Sequence, residues 1–263
     1  MLKRIISGVV LALISAAVVF AHSYTKIPTI IYFVLCAGIG TFEILHNTGV
    51  IKKKYLAVGC ALFSAAELTL LILRPAFAYY LAFVYAFAVA VASLVFYKDF
   101  SFSAVAAALA FPLAIAIGFT STYTVFDRYG LAFLLMLLNF SSVCDMFAYF
   151  VGVSLGKHKL CEKISPKKTV EGAVGGILGS IAVTLIISLV ADISGLNLVM
   201  LLIITPFMCA VGMIGDLFAS IIKRSVSIKD YGNLIPGHGG ILDRFDSILL
   251  ISPVFLMLLE VLP

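Results

Sequence analysis

Two stretches of this 263-residue chain carry side chains suited to phosphate and to a divalent cation. The denser one opens Gly215-Asp216-Leu217-Phe218-Ala219-Ser220-Ile221-Ile222-Lys223-Arg224 and passes through Lys229-Asp230. It closes on Pro236-Gly237-His238-Gly239-Gly240-Ile241-Leu242-Asp243-Arg244-Phe245-Asp246. On a helix, Asp216, Ser220 and Lys223 or Arg224 fall at i, i+4 and i+7 or i+8, which is one face. At a rise of 1.5 Å per residue, Asp216 lies roughly 10 Å deeper than Lys223. Asp243 and Asp246, three residues apart, share a face at the start of the last helix. Gly237, Gly239 and Gly240 permit a tight loop with exposed backbone N–H groups beside His238. Carboxylates with this spacing suit magnesium, which takes oxygen ligands completed by water and substrate phosphates. The cations suit the remaining phosphate oxygens. Lys229–Asp230 alone reads as a solvated ion pair of little energetic weight.

The second stretch runs Gly156-Lys157-His158-Lys159-Leu160-Cys161-Glu162-Lys163-Ile164-Ser165-Pro166-Lys167-Lys168-Thr169-Val170-Glu171-Gly172. Its lysines, Ser-Pro turn and glycine ahead of a helix suit a polyanion, with helix-end N–H groups adding to Lys167 and Lys168. Attraction to anionic headgroups accounts for the same loop equally well. Gly152–His158 is not a phosphate-binding P-loop: the glycine spacing is one residue short, and His stands where Ser or Thr would hold magnesium.

The elements that must position these residues follow from composition. Hydrophobic residues make up 63% of the chain and charged residues 12%, with a mean hydropathy of +1.18. Soluble domains are about half apolar and a quarter charged, so a soluble enzyme, a disordered chain, collagen and a disulfide-stapled secreted domain are excluded. A helix of about 20 apolar residues crosses the hydrocarbon core. Such runs lie at 5–21, 27–45, 55–73, 75–97, 100–126, 130–151, 172–191, 193–215 and 247–262. No short alternating segments suggest a β-barrel. The expected fold is all-α, a single polytopic membrane domain over 1–263 with about nine transmembrane helices. Its catalytic portion is expected in 141–250, with the loops 153–171 and 223–246.

With nine spans, every basic residue except Lys26, Arg74 and Arg128 falls on one side, which the positive-inside rule makes cytoplasmic. The N-terminus is then cytoplasmic and Pro263 outside. Residues 1–21 also resemble a signal peptide, but the eight further spans favour an uncleaved first helix. The five scattered cysteines contain no CxxC pair and suggest neither a disulfide framework nor a Cys-rich zinc site. An acid near the centre of a span costs about 2.5–3.5 kcal/mol on insertion scales, so it faces a cavity or partner. That singles out Asp216, Asp145 and Glu67. Asp145, Tyr149 and Gly152 share a face near the first basic loop, where a role in the site and a helix-packing hydrogen bond are equally open. Glu67 reads as a carboxyl satisfied by another helix, and Glu43 as an interfacial acid.

The run Ser220-Ile-Ile-Lys223-Arg224, Lys229-Asp230, Pro236-Gly-His238-Gly-Gly-Ile-Leu-Asp243-Arg244-Phe-Asp246 resembles the signature of the phosphatidate cytidylyltransferases, also called CDP-diacylglycerol synthases. Ser165-Pro-Lys167-Lys168-Thr169-Val-Glu171-Gly172 resembles a second block of that family. Where the family carries an Asp-Thr-Gly-Ala-Tyr-like run, this chain has Asp145-Met146-Phe147-Ala148-Tyr149, keeping the acid and the tyrosine. The resemblance implies a nucleotidyltransferase of phospholipid biosynthesis. It would convert CTP and phosphatidic acid into CDP-diacylglycerol and pyrophosphate with magnesium, on the cytoplasmic side of a bacterial plasma membrane. Asp216 and Asp243 would hold metal, with Asp246, Lys223 and Arg224 completing the catalytic set. Ser165, Lys167, Lys168, Ser220, Lys229, His238, Gly239, Gly240 and Arg244 would bind substrate. A homodimer is implied by the resemblance alone, and no nucleic-acid partner is expected. The rivals are another CTP-dependent lipid enzyme, either a lipid kinase or a CDP-archaeol synthase-like enzyme, and more remotely a transporter.

Overall fold

The computed structural model describes residues 2–98, 100–162, 164–191 and 198–261; Lys163 of the basic loop, Ile193 and Pro263 lie outside them. Backbone polar groups removed from water must be satisfied within their own segment, so the apolar runs fold as helices. These are α1 (Leu2–His22), α2 (Ile27–Phe42), α3 (Lys54–Leu73), α4 (Pro75–Val95), α5 (Phe102–Tyr129), α6 (Leu131–Leu138), α7 (Cys144–Leu155), α8 (Val170–Val190), α9 (Leu198–Ser225) and α10 (Leu242–Val261). A π-helical turn, Glu43–Asn47, prolongs α2, and another, Asn139–Val143, joins α6 to α7.

Among the described residues, seven helical rods are long and apolar enough to cross a bilayer, from Ile27–Asn47 to Val199–Ser225. The chain is therefore a largely helical, multi-pass membrane protein. Helices also stand at the two remaining expected positions. The apolar stretch of α1, Ile6–His22, is shorter, and α10 carries Asp243, Arg244, Asp246 and Glu260. The loop ahead of α8 is not plain coil. It folds into an antiparallel hairpin, β1 (Lys159–Cys161) with β2 (Ser165–Thr169), pairing Lys159 with Thr169 and Cys161 with Ser165. Strands this short carry too few residues for an alternation to be legible in the sequence.

The chain divides into two compact units. One comprises Met1–Tyr123 and Val226–Phe245. In it Pro112, which has no N–H, leaves the Ala108 carbonyl without its helical donor. Tyr85 Oη donates to that carbonyl at 2.6 Å, and Ser64 Oγ donates to the Pro112 carbonyl at 3.0 Å. The Tyr85 ring stacks on Phe63, so α3, α4 and α5 are locked at one level.

The other unit comprises Thr124–Ser225 and Asp246–Pro263. Its core holds Met136, Leu137, Phe140, Met208, Ile251 and Phe255 around a buried polar chain. Asn139 Nδ2 donates to the Ser180 carbonyl at 2.9 Å and to Thr184 Oγ1 at 3.0 Å, and Thr205 donates to Thr184 at 3.1 Å. In an apolar interior such hydrogen bonds fix which helix faces meet. α7 and α8 approach closely because α8 presents glycines. A Cβ at Gly172 would lie 2.6 Å from the Ala148 carbonyl, and one at Gly176 would lie 2.7 Å from that of Cys144.

Candidate active site

In the second unit the hairpin delivers a cation to two acids. β2 ends at Thr169, which caps α8 by accepting the Gly172 N–H at 3.1 Å, an arrangement that satisfies one of the orphan donors of a helix start. Glu171 accepts from the backbone N–H groups of Lys157 (3.0 Å) and His158 and pairs with His158 Nδ1 at 2.6 Å, tying the loop to the start of α8. Lys168 is thereby held with Nζ 2.5 Å from Asp216 Oδ2 and 3.5 Å from Asp145 Oδ1. Burial pulls the pKa of Lys168 down, but the two carboxylates outweigh it and hold the ammonium above its ordinary range. Asp145 therefore belongs to the cluster rather than to helix packing alone. Beside it is a cavity of about 220 Å³ lined by Asp145, Tyr149, Ser165, Lys167, Lys168 and Met213, among others.

α9 runs unbroken to Ser225, so Asp216, Ser220 and Lys223 lie on one continuous helix. Gly215 lets α10 come near: a Cβ there would sit 3.2 Å from the Cα of Ser247. Lys223 Nζ lies 3.6 Å from Asp246 Oδ2, with side chains only 11% and 14% exposed. Ser220 is half-buried, whereas Arg224, Lys167 and, in the other unit, Lys229, Asp230 and Arg244 are exposed.

In the first unit the glycine loop folds on itself. Gly237 (φ +80°) and Gly239 (φ +85°) occupy the left-handed region, where only glycine sits without strain. Ile235 N donates to the Gly239 carbonyl and His238 N to that of Ile235, each at 2.9 Å. Asp243, 8% exposed, accepts on Oδ2 from Tyr231 N (2.8 Å) and Gly240 N (3.0 Å). Glu43 accepts from Ile241 N (3.1 Å) and Leu242 N (2.9 Å). Of the glycine N–H groups expected to be exposed, that of Gly240 is satisfied internally, as are those of His238, Ile241 and Leu242. Ser7 Oγ donates its one proton to the Pro236 carbonyl at 2.8 Å and so accepts from His238 Nδ1 at 2.9 Å. This bond fixes the Nδ1–H tautomer for a neutral ring.

Glu43, read as an interfacial acid, is 4% exposed and hydrogen-bonded to protein. Glu67 is 3% exposed, yet its Oε2 has no hydrogen-bond partner among the described residues. Glu43, Asn47 and Ser7 were missed as site residues because their partners lie some 200 positions away. The available signal was that Glu43 is the one acid in an otherwise apolar helix.

The sequence model of the cytidylyltransferase family matches residues 2–262. The chain is 47% identical over 133 residues to a phosphatidate cytidylyltransferase of Bacillus subtilis, covering 51% of this chain and 49% of that one. It is 41% identical over 160 residues to one of Staphylococcus epidermidis, covering 61% of each. It is 36% identical over 142 residues to one of Thermotoga maritima, covering 52% of this chain and 53% of that one. The aligned stretches thus span between about half and three-fifths of these relatives' lengths.

Proposed function

The chain belongs to the cytidylyltransferase family, and from that membership we propose that it transfers the cytidylyl group of CTP to phosphatidic acid, forming CDP-diacylglycerol and pyrophosphate. The observation that carries this reading is Lys168, held between Asp145 and Asp216 beside a cavity rimmed by Ser165 and Lys167. Two converging carboxylates and a cluster of cations are what a triphosphate with its counter-ion requires. The relatives named as phosphatidate cytidylyltransferases support the lipid substrate.

Magnesium fits the donor chemistry, since the oxygens of Asp145 and Asp216 already converge on a cation and need only water and phosphate to complete a shell. Asp243, the other acid expected to hold metal, lies in the first unit. When bound, the ion would neutralise charge on the triphosphate. The chain's own residues do the rest. Lys167 and Lys168 neutralise phosphate oxygens at the cavity, and Lys223, Arg224, Lys229 and Arg244 serve the triphosphate, the departing pyrophosphate or the lipid phosphate. An oxygen of phosphatidate attacks the α-phosphorus of CTP, and the bond to the β-phosphate oxygen breaks. The nucleophile is ionised near neutral pH, so positioning and charge neutralisation carry the rate.

The same reading makes the chain a nine-span plasma-membrane protein with a cytoplasmic N-terminus and active site. The one-sided distribution of basic residues supports this orientation. The test is to reconstitute purified protein in vesicles with CTP, magnesium and phosphatidic acid. CDP-diacylglycerol and pyrophosphate are expected in equal amounts. Release of CDP with a phosphorylated lipid identifies a kinase, and a product formed only from ether-linked isoprenoid phosphate redirects the substrate. Solute flux without CTP consumption identifies a transporter. Any of these three outcomes overturns the proposal.

A further inference from the structure

Glu43 occupies the end of an apolar helix, in the π-helical turn Glu43–Asn47, and is buried to within 4% of full enclosure. A carboxylate so placed must be compensated. Its compensation comes from the N–H groups at the turn into α10: Oε1 accepts from Ile241 N at 3.1 Å and Oε2 from Leu242 N at 2.9 Å. The orphan donors and the positive end of the dipole at a helix start make that position favourable to an anion. The next N–H back, that of Gly240, goes to Asp243 instead. Three consecutive donors are thus divided between two acids, one of them nearly 200 residues distant.

Two glycines complete the fit. A Cβ at Gly232 or at Gly240 would overlap the Glu43 carboxylate. Gly240 is therefore glycine because an acid lies against it, a reason separate from any approach of nucleotide. Asn47, four residues beyond Glu43, donates Nδ2 to the Tyr231 carbonyl at 2.8 Å. The N–H of the same Tyr231 goes to Asp243 Oδ2 at 2.8 Å. Glu43 and Asn47 therefore grip the segment 231–242 at both ends, and Asp243 is aimed by what they grip.

We propose that Glu43 is a positioning residue for Asp243: its carboxylate organises the start of α10 so that Asp243 presents a fixed oxygen to the cation. The inference rests on the reading of Asp243 as a metal ligand. Residues that orient metal ligands typically cost about 10–100-fold in metal affinity or activity when changed. Glu43→Gln places an amide N–H₂ against backbone N–H groups without changing volume. Gly232→Ala presses on the same carboxylate from a residue outside the proposed site.

Hydrogen exchange of the amides in 240–243, measured on the full chain in detergent without substrate, should accelerate in both variants. The magnesium concentration for half-maximal CDP-lipid formation should rise about tenfold, while the KM for CTP changes less than twofold. Wild-type exchange and wild-type magnesium response in both variants overturn the inference. So does a fall in kcat with unchanged magnesium dependence, which a merely structural role would produce. A wild-type protein that makes no CDP-lipid overturns the functional reading instead, and the exchange measurement, needing no substrate, then decides the role of Glu43 by itself.

Discussion

Asp216 and Asp243 are both acids of the stretch 215–246, yet the protein compensates them differently. Asp216 faces the ammonium of Lys168, on a hairpin side chain. Asp243 faces the backbone N–H groups of Tyr231 and Gly240. A lysine is a compact point charge on a flexible stem, so the cation at Asp216 can be exchanged for another. Backbone amides cannot leave, so the orientation of Asp243 is built in. One region is set up to trade counter-ions, and the other to hold still.

The harshest way to break this comparison is to neutralise each acid. Asp216→Asn and Asp243→Asn should each lower CDP-lipid formation by at least about 10²–10³-fold, the scale of losing one preorganised electrostatic contact. Both variants should still fold and insert in membranes, at a lower melting temperature, because Asp216 meets Lys168 and Asp243 accepts two backbone N–H groups. Wild-type turnover by both variants would remove the metal assignment.

A finer distinction comes from Lys168→Met. Exchange of counter-ions predicts a split response. Magnesium alone should bind the nucleotide-free protein more tightly, because a competing cation is gone, while kcat falls about 10²-fold for want of a phosphate partner. Magnesium affinity unchanged in that variant would mean that Lys168 and the ion do not compete.

The same residue gives a pH dependence. Its pKa is raised in the folded state, so the stabilisation is fully present below the unfolded value near 10.5 and is lost as pH rises through the higher folded value. Melting temperature should therefore decline above that pH in the wild type and show a flatter alkaline profile in Lys168→Met.

The smallest effect is expected at the exposed tether of the hairpin. Glu171→Gln loosens the contacts to Lys157, His158 and its ring. Limited proteolysis between residues 157 and 168 should quicken, with turnover reduced only severalfold. Unchanged cleavage would show that β1 and β2 hold the loop without it.

The helices were legible because their signal is local. Apolar runs near 20 residues long leave a chain in lipid no other way to satisfy its backbone. The candidate residues of 215–246 stood out for a related reason, since these acids, cations and glycines are close in sequence. The site's supports did not. Asp145 reaches Lys168 across 23 positions through a hairpin too short to declare itself, and Glu43 finds the start of α10 across nearly 200. In the glycine loop the Gly240 N–H, expected to be exposed, serves Asp243, and the neighbouring Ile241 and His238 N–H groups serve Glu43 and the Ile235 carbonyl.

Sequence by itself determined that this chain crosses a membrane many times and carries a run of acids, cations and glycines, because hydrophobic length and residue type are properties of the chain alone. Only the tertiary structure decided which counter-charge each acid meets. An interaction energy depends on separation in space, and residues remote in sequence, Glu43 and Gly240 among them, become neighbours only when the helices have packed.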